Sequence, residues 1–322
     1  MDPLLIVIIG FGLIFIVTAA LGNGLSITAP AILGPLRAHP QLNVMLILSN
    51  FIVMPALVIG LTAMLPFDPQ IKMAFAALAL TAGAPFIPWL VSLAKGDLAY
   101  SGATVLLLTI GTWIVLPLAL PVVLTALGTG ATPSPWLLAW PMLLFMLVPL
   151  VAGVFIRNRY PQLAMEIGPY LGPISITALT VHITLFLGYT WDDFLSLGGT
   201  WAFAFSFALP LIGMLVGFLL SPPYALSPVK PADSQRGTKI VSAVAVAQQN
   251  TGAVICTAIF GLGAYTVAGV TMLVGAIVTI IVVMVTMAEI GRHFEKSHPV
   301  AQTTPQPAAP ATVPAATTAK AG

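Results

Sequence analysis

The most concentrated polar chemistry of this chain lies in one short run, Gln248-Gln249-Asn250-Thr251-Gly252, inside an otherwise apolar stretch. Amide and hydroxyl groups both donate and accept hydrogen bonds, and their oxygens are neutral ligands for cations. Four adjacent polar side chains cover every face of a helical turn, and burying them costs free energy unless partners exist. Gly252 permits an unwound backbone. The run predicts a broken helix whose Gln248, Asn250 and Thr251 contact a bound solute.

A second interruption is predicted in the segment 81–88, Thr-Ala-Gly-Ala-Pro-Phe-Ile-Pro. Pro85 and Pro88 lack backbone donors, and their rings clash with preceding carbonyl groups, so a continuous helix is disfavoured. Gly83 just before them gives the backbone additional freedom. We therefore expect Pro85, Pro88 and the backbone around 84–88 to contribute to the same solute site.

Few other side chains in the apolar stretches carry chemistry. His182 is the clearly ionisable one, and it is either a neutral packing residue or a proton relay. Asn50 and Ser101 either bond within the protein or line the site. The one cysteine, Cys256, is interpreted as a small buried residue. The sequence has no phosphate-binding glycine loop, no metal-ligand spacing and no pair of carboxylates within the apolar stretches, so we expect no enzyme and no cofactor.

The elements that must position these groups are membrane helices. Of the 322 residues 59% are hydrophobic and 6% are charged, whereas soluble domains carry roughly 25% charged residues. A basic surface for nucleic acid is absent, and the lipid bilayer is the expected surrounding. A crossing needs about 20 mostly apolar residues. An all-α fold with about nine crossings is predicted, at Leu4–Leu25, Gln41–Leu65, Ile71–Ala94, Leu98–Ala126, Leu137–Ile156, Gly168–Thr190, Thr200–Leu220, Ile240–Gly263 and Tyr265–Ala288.

The distribution of charge predicts the orientation. With nine crossings, ten of the eleven Lys and Arg residues fall on one side and Lys72 alone on the other. Positively charged loops stay in the cytoplasm. We therefore expect the N-terminus outside, the C-terminus in the cytoplasm and the plasma (inner) membrane as location. Residues 297–322 are mostly Ala, Pro and Thr, and we expect a disordered cytoplasmic tail.

The two interruptions occupy matching places in the chain. Each lies in the penultimate crossing of its half, and the two crossings run in opposite directions. Broken helices in this arrangement are typical of a transporter built from an inverted repeat, with its site near the midplane. The alternative is a pair of unrelated proline kinks and packing amides.

Several motifs, in this order along the chain, resemble the bile acid:sodium symporter family. Leu21-Gly-Asn-Gly-Leu-Ser-Ile27 closes the first crossing, and Asn50-Phe-Ile-Val-Met-Pro55 lies in the second. Leu93-Ala-Lys-Gly-Asp97 follows the first interruption, and Gln249-Asn250 lies in the second. The resemblance spans roughly residues 10–290.

The family resemblance implies one transporter domain over 1–292 with two crossing broken helices and alternating access. It implies a panel of about 1–28 and 137–190 and a core of about 41–126 and 200–292. Substrate and ions are expected near the crossing. The substrate class that it implies is an organic anion, such as a sterol conjugate, keto acid, pantoate-like compound or sulfonate.

The family's sodium ligands are largely replaced. Its Ser-Asn pair falls on Ile87-Pro88, and its Glu falls on Ala245. One hydroxyl position matches Ser101, and one Gln position matches Gln249. The other Gln falls on Asn50, and the other hydroxyl falls on Val105. These replacements predict that strong sodium coupling is lost.

The leading hypothesis is a secondary transporter for a small organic anion or an amphipathic metabolite. Its transport is uncoupled, proton-coupled or driven by another gradient. One alternative is a sodium symporter with a weakened ion site, and another is a membrane sensor for a metabolite or lipid that does not transport. An intramembrane enzyme is a further alternative, for which only His182 is available. The expected partner is the small-molecule substrate, and the oligomeric state stays open.

Overall fold

A computed structural model describes residues 2–26, 29–221, 231–263 and 266–297, without the side chains of 29–33 and 231–235. The described residues form helices and connecting turns, and no strand occurs among them. The predicted tail lies outside the described residues from 298 onward, as does Tyr265, where the ninth crossing was predicted to begin.

Eight helical stretches of the described chain are long and apolar enough to cross a membrane. We label them with the shorter helices in chain order. The long continuous helices are α1 (Pro3–Ser26), α3 (Pro40–Met64), α6 (Leu98–Ala126), α7 (Pro135–Arg159), α8 (Pro161–Tyr189), α10 (Ala202–Leu220) and α13 (Val267–Ser297). The eighth stretch, Arg236–Gly263, contains the end of α11 (Pro231–Ala247) and α12 (251–263).

The predicted crossing Ile71–Ala94 consists of two short helices. These are α4 (Pro69–Ala79) and α5 (Ile87–Leu93), and residues 80–86 between them are not helical. The second predicted interruption is observed at 248–250, between α11 and α12. Eight long stretches and one broken pair account for the nine predicted crossings, and the protein is a polytopic helical membrane protein.

Some predicted boundaries were wrong, and two short helices were missed. α8 begins at Pro161, seven residues before the predicted Gly168, because proline is well placed at the first position of a helix. α11 likewise begins at Pro231, before the predicted Ile240. The missed helices are α2 (Ala29–Ala38) and α9 (Trp191–Ser196), which are too short to cross a membrane.

In two long helices a π-helical turn ends two residues before a proline. In α3 the turn is Ser49–Val53, and the N–H of Met54 donates to the carbonyl of Ser49, five residues back. In α7 Val148 donates in the same way to Leu143. The prolines that follow have no N–H to donate, and the wider turn accommodates the missing bond. The turn in α3 carries Asn50 on a buried face.

Glycines allow the closest helix contacts. α1 packs along α7 and α8, and a Cβ on Gly24 of α1 would lie 2.9 Å from the Cα of Gly153 of α7. α10 packs on α11, where a Cβ on Gly213 would lie 2.7 Å from the Cα of Ala247. α13 packs on α4, α5 and α10. We call α1, α7 and α8 the panel helices and α3–α6 with α10–α13 the core helices; that they form two domains stays a prediction.

One end of the helix assembly carries the described basic residues Arg37, Lys95, Arg157 and Arg236, and we call it the basic face. The other end, which carries Asp2, Asp68 and Asp192, is the opposite face. At the basic face Arg236 of α11 donates to the carbonyl of Ala94 (2.9 Å), just after α5, and its guanidinium lies 3.7 Å from the ring centroid of Phe294. This contact joins the two broken helices away from their crossing.

Candidate functional site

The backbone of the first break is held by two threonines of α6. The Thr112 hydroxyl accepts from the N–H of Ala82 (2.8 Å) and lies 3.0 Å from its carbonyl oxygen, to which it donates. The Thr109 hydroxyl donates to the carbonyl of Gly83 (2.8 Å). A buried backbone group without a partner costs free energy, so these bonds allow the chain to leave the helix inside the protein.

The backbone geometry at position 83 requires a glycine. Its φ is +83°, in the region that side chains disfavour. A Cβ at this position would also collide with the backbone N of Thr109 and lie 2.8 Å from the carbonyl carbon of Leu108. The first break therefore contacts α6 backbone to backbone.

Asn250 joins the second break to the first. Its Oδ1 accepts from the N–H of Ala253 (3.1 Å), which caps the start of α12. Its Nδ2 donates to the carbonyl of Gly83 (3.0 Å) and lies 3.4 Å from the Thr109 hydroxyl. The two breaks therefore meet at Gly83 and Asn250, as predicted for crossing broken helices.

A cavity of about 330 Å³ lies beside this crossing, between panel and core helices. It extends from the crossing toward the basic face, where Ser26, Leu98 and Ala99 line it. None of the described residues that line it carries a charge. Besides these three, its lining includes Phe15, Ile16, Ala19, Asn23, Met146 and Leu150 from the panel helices, and Gly83, Pro85, Pro88, Gly102, Thr109, Trp113, Asn250 and Gly252 from the core helices.

The predicted substrate contacts separate into two sets. Pro85, Pro88 and Asn250 line the cavity. Gln248 and Thr251 are not among its lining residues, and each is 2% exposed. Both amide atoms of Gln248 and the hydroxyl of Thr251 have no hydrogen-bond partner among the described residues. These two side chains lie at the crossing without facing the cavity.

Two of the four predicted ion-site residues are bonded within their own helices. The Ser101 hydroxyl donates to the carbonyl of Leu98 (2.7 Å), and Asn50 Nδ2 donates to the carbonyl of Leu46 (2.9 Å). Ala245 is fully buried and apolar. Gln249 keeps an unpartnered Oε1. The described residues contain no cluster of three or more His, Cys, Asp or Glu that would hold a metal.

His182 lies away from the cavity. Its Nδ1 is 2.8 Å from the carbonyl oxygen of Ile8 on α1 and donates to it, because a carbonyl oxygen can only accept. The small cleft beside it is lined only by apolar residues, among them Phe186, Val254 and Ile255. The surroundings of His182 therefore resemble those of a packing residue.

Four residues of the site were not predicted. Thr109 and Thr112 bind backbone groups 26 and 30 residues away, and no local signal in the sequence shows such a pairing. Asn23 belongs to the motif that closes the first crossing, and its polar side chain among apolar residues was the available signal. Trp113 lines the cavity, and its Nε1 has no partner among the described residues.

A comparison with known proteins shows the family of the chain. A family model described as the sodium bile acid symporter family matches residues 11–196, more than half of the chain. The match includes the first break and the threonines of α6 and ends before the second break. No curated protein is similar enough in sequence to count as a relative. The chain belongs to the sodium bile acid symporter family, a family of transporters.

Proposed function

We propose that the protein is a secondary transporter for a small organic anion or an amphipathic metabolite, without the strong sodium site of its family. It lies in the plasma (inner) membrane with its N-terminus outside, and the basic face is then cytoplasmic. The solute binds in the cavity beside the crossing and leaves by alternating access.

The observation that carries this proposal is the cavity itself. Its volume of about 330 Å³ falls in the range of ligand sites, roughly 300–1,000 Å³. It lies between panel and core helices, so a relative movement of the two groups would change its access. Its polar groups are neutral and few, and Asn23, Thr109 and Asn250 are among them.

The lining favours a solute with a large apolar part. Phe15, Ile16 and Met146 offer apolar surface, while the hydroxyl of Thr109 and the amide of Asn250 lie together at the crossing. A polar group of the solute would bond at the crossing, and its apolar body would extend toward the basic face. The lining has no positive side chain, so the protein would offset little of the free energy that a small dianion loses when it is dehydrated.

The sodium ligands implied by the family do not fit this chain. Sodium is a hard cation that favours several oxygens, and a carboxylate would offset its charge. Ala245 and the Ile87-Pro88 pair offer neither, and Ser101 is bonded to its own helix. The crossing is held instead by Thr109, Thr112 and Asn250, which are hydrogen-bonded without an ion.

A second candidate, a sodium symporter with a weak site, is favoured by one specific observation. At the second break, buried oxygens of Gln248, Gln249 and Thr251 have no partner among the described residues. Such oxygens suit a weakly held cation. Because amides carry no charge, we expect such a site to saturate only at sodium concentrations above the physiological range.

An enzymatic role is not supported by the site. The described lining contains no ionisable side chain, and neither His182 nor Cys256 is part of it. We therefore assign no catalytic residue and no cofactor. Its partners are then the solute and the lipid bilayer.

The test is uptake into proteoliposomes. The purified protein is offered labelled solutes of the four classes: a conjugated bile acid, a keto acid, pantoate and an alkyl sulfonate. We expect saturable uptake of one class, unchanged when potassium replaces sodium. Sodium stimulation that saturates only above the physiological range would favour the second candidate. Saturable stimulation near physiological concentration would contradict the proposed loss of the strong sodium site, and no uptake of any class would contradict transport.

A matched pair of variants connects uptake to the cavity. Ala19 of α1 lines the cavity, whereas Ile14 of the same helix is 44% exposed and does not line it. Ala19→Phe fills the cavity and should abolish uptake. Ile14→Phe should leave it unchanged.

A further inference from the structure

Asn23 of α1 places an amide in the otherwise apolar half of the cavity. The stripe of α1 that lines the cavity runs from Phe15 and Ile16 at the crossing through Ala19 and Ala20 to Asn23. The described residues of α6 that line the same half, between 98 and 106, are all apolar. The amide therefore interrupts an apolar lining at a position away from the crossing.

The distance between Asn23 and the crossing follows from the helix. Ile16 lies at the level of the crossing, since a Cβ on Gly252 would lie 3.7 Å from its Cγ1. Asn23 follows Ile16 by seven residues of continuous helix, which is about 10 Å along the axis at 1.5 Å per residue. The cavity thus has hydrogen-bonding side chains at two levels, about 10 Å apart.

The amide of Asn23 is unlike the other asparagine amides of the chain. Four asparagines donate from Nδ2 to a backbone carbonyl, namely Asn43, Asn50, Asn158 and Asn250. The side chain of Asn23 has no hydrogen-bond partner among the described residues. Ser26, which lines the same half, donates its hydroxyl to the backbone carbonyl of Asn23 (2.7 Å). A packing asparagine would bond its own helix, as Asn50 does, so the Asn23 amide is available to a molecule in the cavity.

The backbone that carries Asn23 is held by close packing. Gly24, the next residue, faces α7, where its Cβ would lie 2.9 Å from the Cα of Gly153. Successive residues of a helix point in different directions, so Gly24 contacts α7 while Asn23 faces the cavity. A side chain on a fixed backbone can select a solute by the position of its polar group.

We propose that Asn23 is a specificity-determining residue that binds a second, uncharged polar group of the solute, such as a hydroxyl or a keto group. The solute is then an elongated molecule with an anionic group at the crossing, an apolar body and a hydrogen-bonding group about 10 Å away. This assignment rests on the proposed transport function and narrows its substrate class. An amphipath with one polar end leaves the Asn23 amide without a partner, and a compact anion does not reach it.

The experiment is the titration of the purified protein with ligands, measured as a rise of its melting temperature, which yields a Kd for each ligand. The probes are unbranched ω-hydroxy carboxylic acids of about six to twelve carbons. Each is compared with the acid of the same length that lacks the hydroxyl, so that the ratio of the two Kd values removes the contribution of chain length. We expect the ratio to favour the hydroxy acid by about three- to tenfold where the extended molecule spans about 10 Å, and less at shorter and longer lengths.

Three variants connect this maximum to Asn23. Asn23→Leu removes the amide at similar size and should abolish the maximum, while the unsubstituted acids bind as before. Thr18→Val removes a hydroxyl of the same helix that does not line the cavity, and it should keep the maximum. Ala19→Phe fills the cavity and should abolish binding of both series. A maximum that persists in Asn23→Leu, or that is absent from the unmodified protein although the acids bind, would overturn the assignment.

A further variant should change the preference of the site. Asn23→Asp places a carboxylate at the same position and should favour the ω-amino acid of the matching length, whose ammonium group pairs with it. A structural role of Asn23 predicts no such gain, and an unchanged preference for the hydroxy acid would overturn the assignment. If no acid of any series raised the melting temperature, the proposed function would fail together with this assignment, whereas binding without the length maximum counts against Asn23 alone.

Discussion

The two breaks of the crossing helices differ in how their polar groups are satisfied. At the first break, side chains of α6 and Asn250 bond the backbone of Ala82 and Gly83. At the second break, Gln248 and Thr251 are buried and their side-chain polar atoms have no partner among the described residues. The N–H and carbonyl of Ala82 and the carbonyl of Gly83 at the first break are thus hydrogen-bonded within the protein. At the second break, the side chains of Gln248 and Thr251 can still form hydrogen bonds. A polar-to-apolar substitution should therefore have opposite effects on stability at the two breaks.

The largest effect is expected for Gly83→Ala. The positive φ costs an alanine roughly 1–2 kcal/mol, and the collision with α6 adds about 1–3 kcal/mol of overpacking. The measurement is the thermal unfolding of the purified protein. Gly128→Ala is the control, because Gly128 also has a positive φ but no atom within 4 Å of a Cβ. Equal losses in the two variants would show that contact with α6 is unimportant.

Next in size is Thr112→Val, which keeps the shape of the side chain. It leaves the buried N–H of Ala82 without its described partner, at a cost of about 1–3 kcal/mol. Thr112→Ser retains the hydroxyl and should recover most of the stability. If valine were as stable as threonine, the first break would not depend on this bond.

A smaller effect of the opposite sign is expected for Gln248→Met. Removing an unpartnered buried amide should raise the free energy of unfolding by about 1 kcal/mol or leave it unchanged. Denaturation in potassium buffer measures this free energy. A clear loss of stability would mean that Gln248 has a partner, and the contrast between the breaks would disappear.

The smallest effect is expected away from both breaks, for His182→Gln. Glutamine can still donate to the Ile8 carbonyl, so a packing role predicts a change in uptake of only about twofold, whereas loss of an essential proton-transfer group costs typically 10²–10⁴-fold. Measuring the uptake of the transported solute distinguishes the packing role of His182 from a role in proton transfer. A loss in the larger range would restore the proton-relay hypothesis.

The sequence predicted the breaks because their causes are local. Pro85 and Pro88 remove donors, and Gly83 frees the backbone, whatever surrounds them. The unwound backbone expected at Gly252 was wrong, because Gly252 lies within α12 and the break is at 248–250. The sequence could not predict Thr109 and Thr112 as their supports, because helices contain many threonines that bond their own backbone, as Thr104 does with Tyr100.

Position along the chain also failed to show which polar side chains face the cavity. Asn250 and Thr251 are neighbours, but the former lines the cavity and the latter does not. That difference depends on how α12 begins: Asn250 is its cap and points back to Gly83. The start of α8 at Pro161 was missed for another reason. The prediction followed the apolar residues, and the first turns of α8 contain polar residues such as Glu166.

In the function proposed above, the crossing is held by the protein's own hydrogen bonds and does not require sodium. The most direct test is the melting temperature of the purified protein, titrated with sodium against potassium at constant ionic strength. An ion held with a Kd tenfold below its concentration stabilises the folded state by about 1.4 kcal/mol. We predict the same melting temperature in both salts throughout the physiological range. A saturable, sodium-specific rise within that range would contradict the claim.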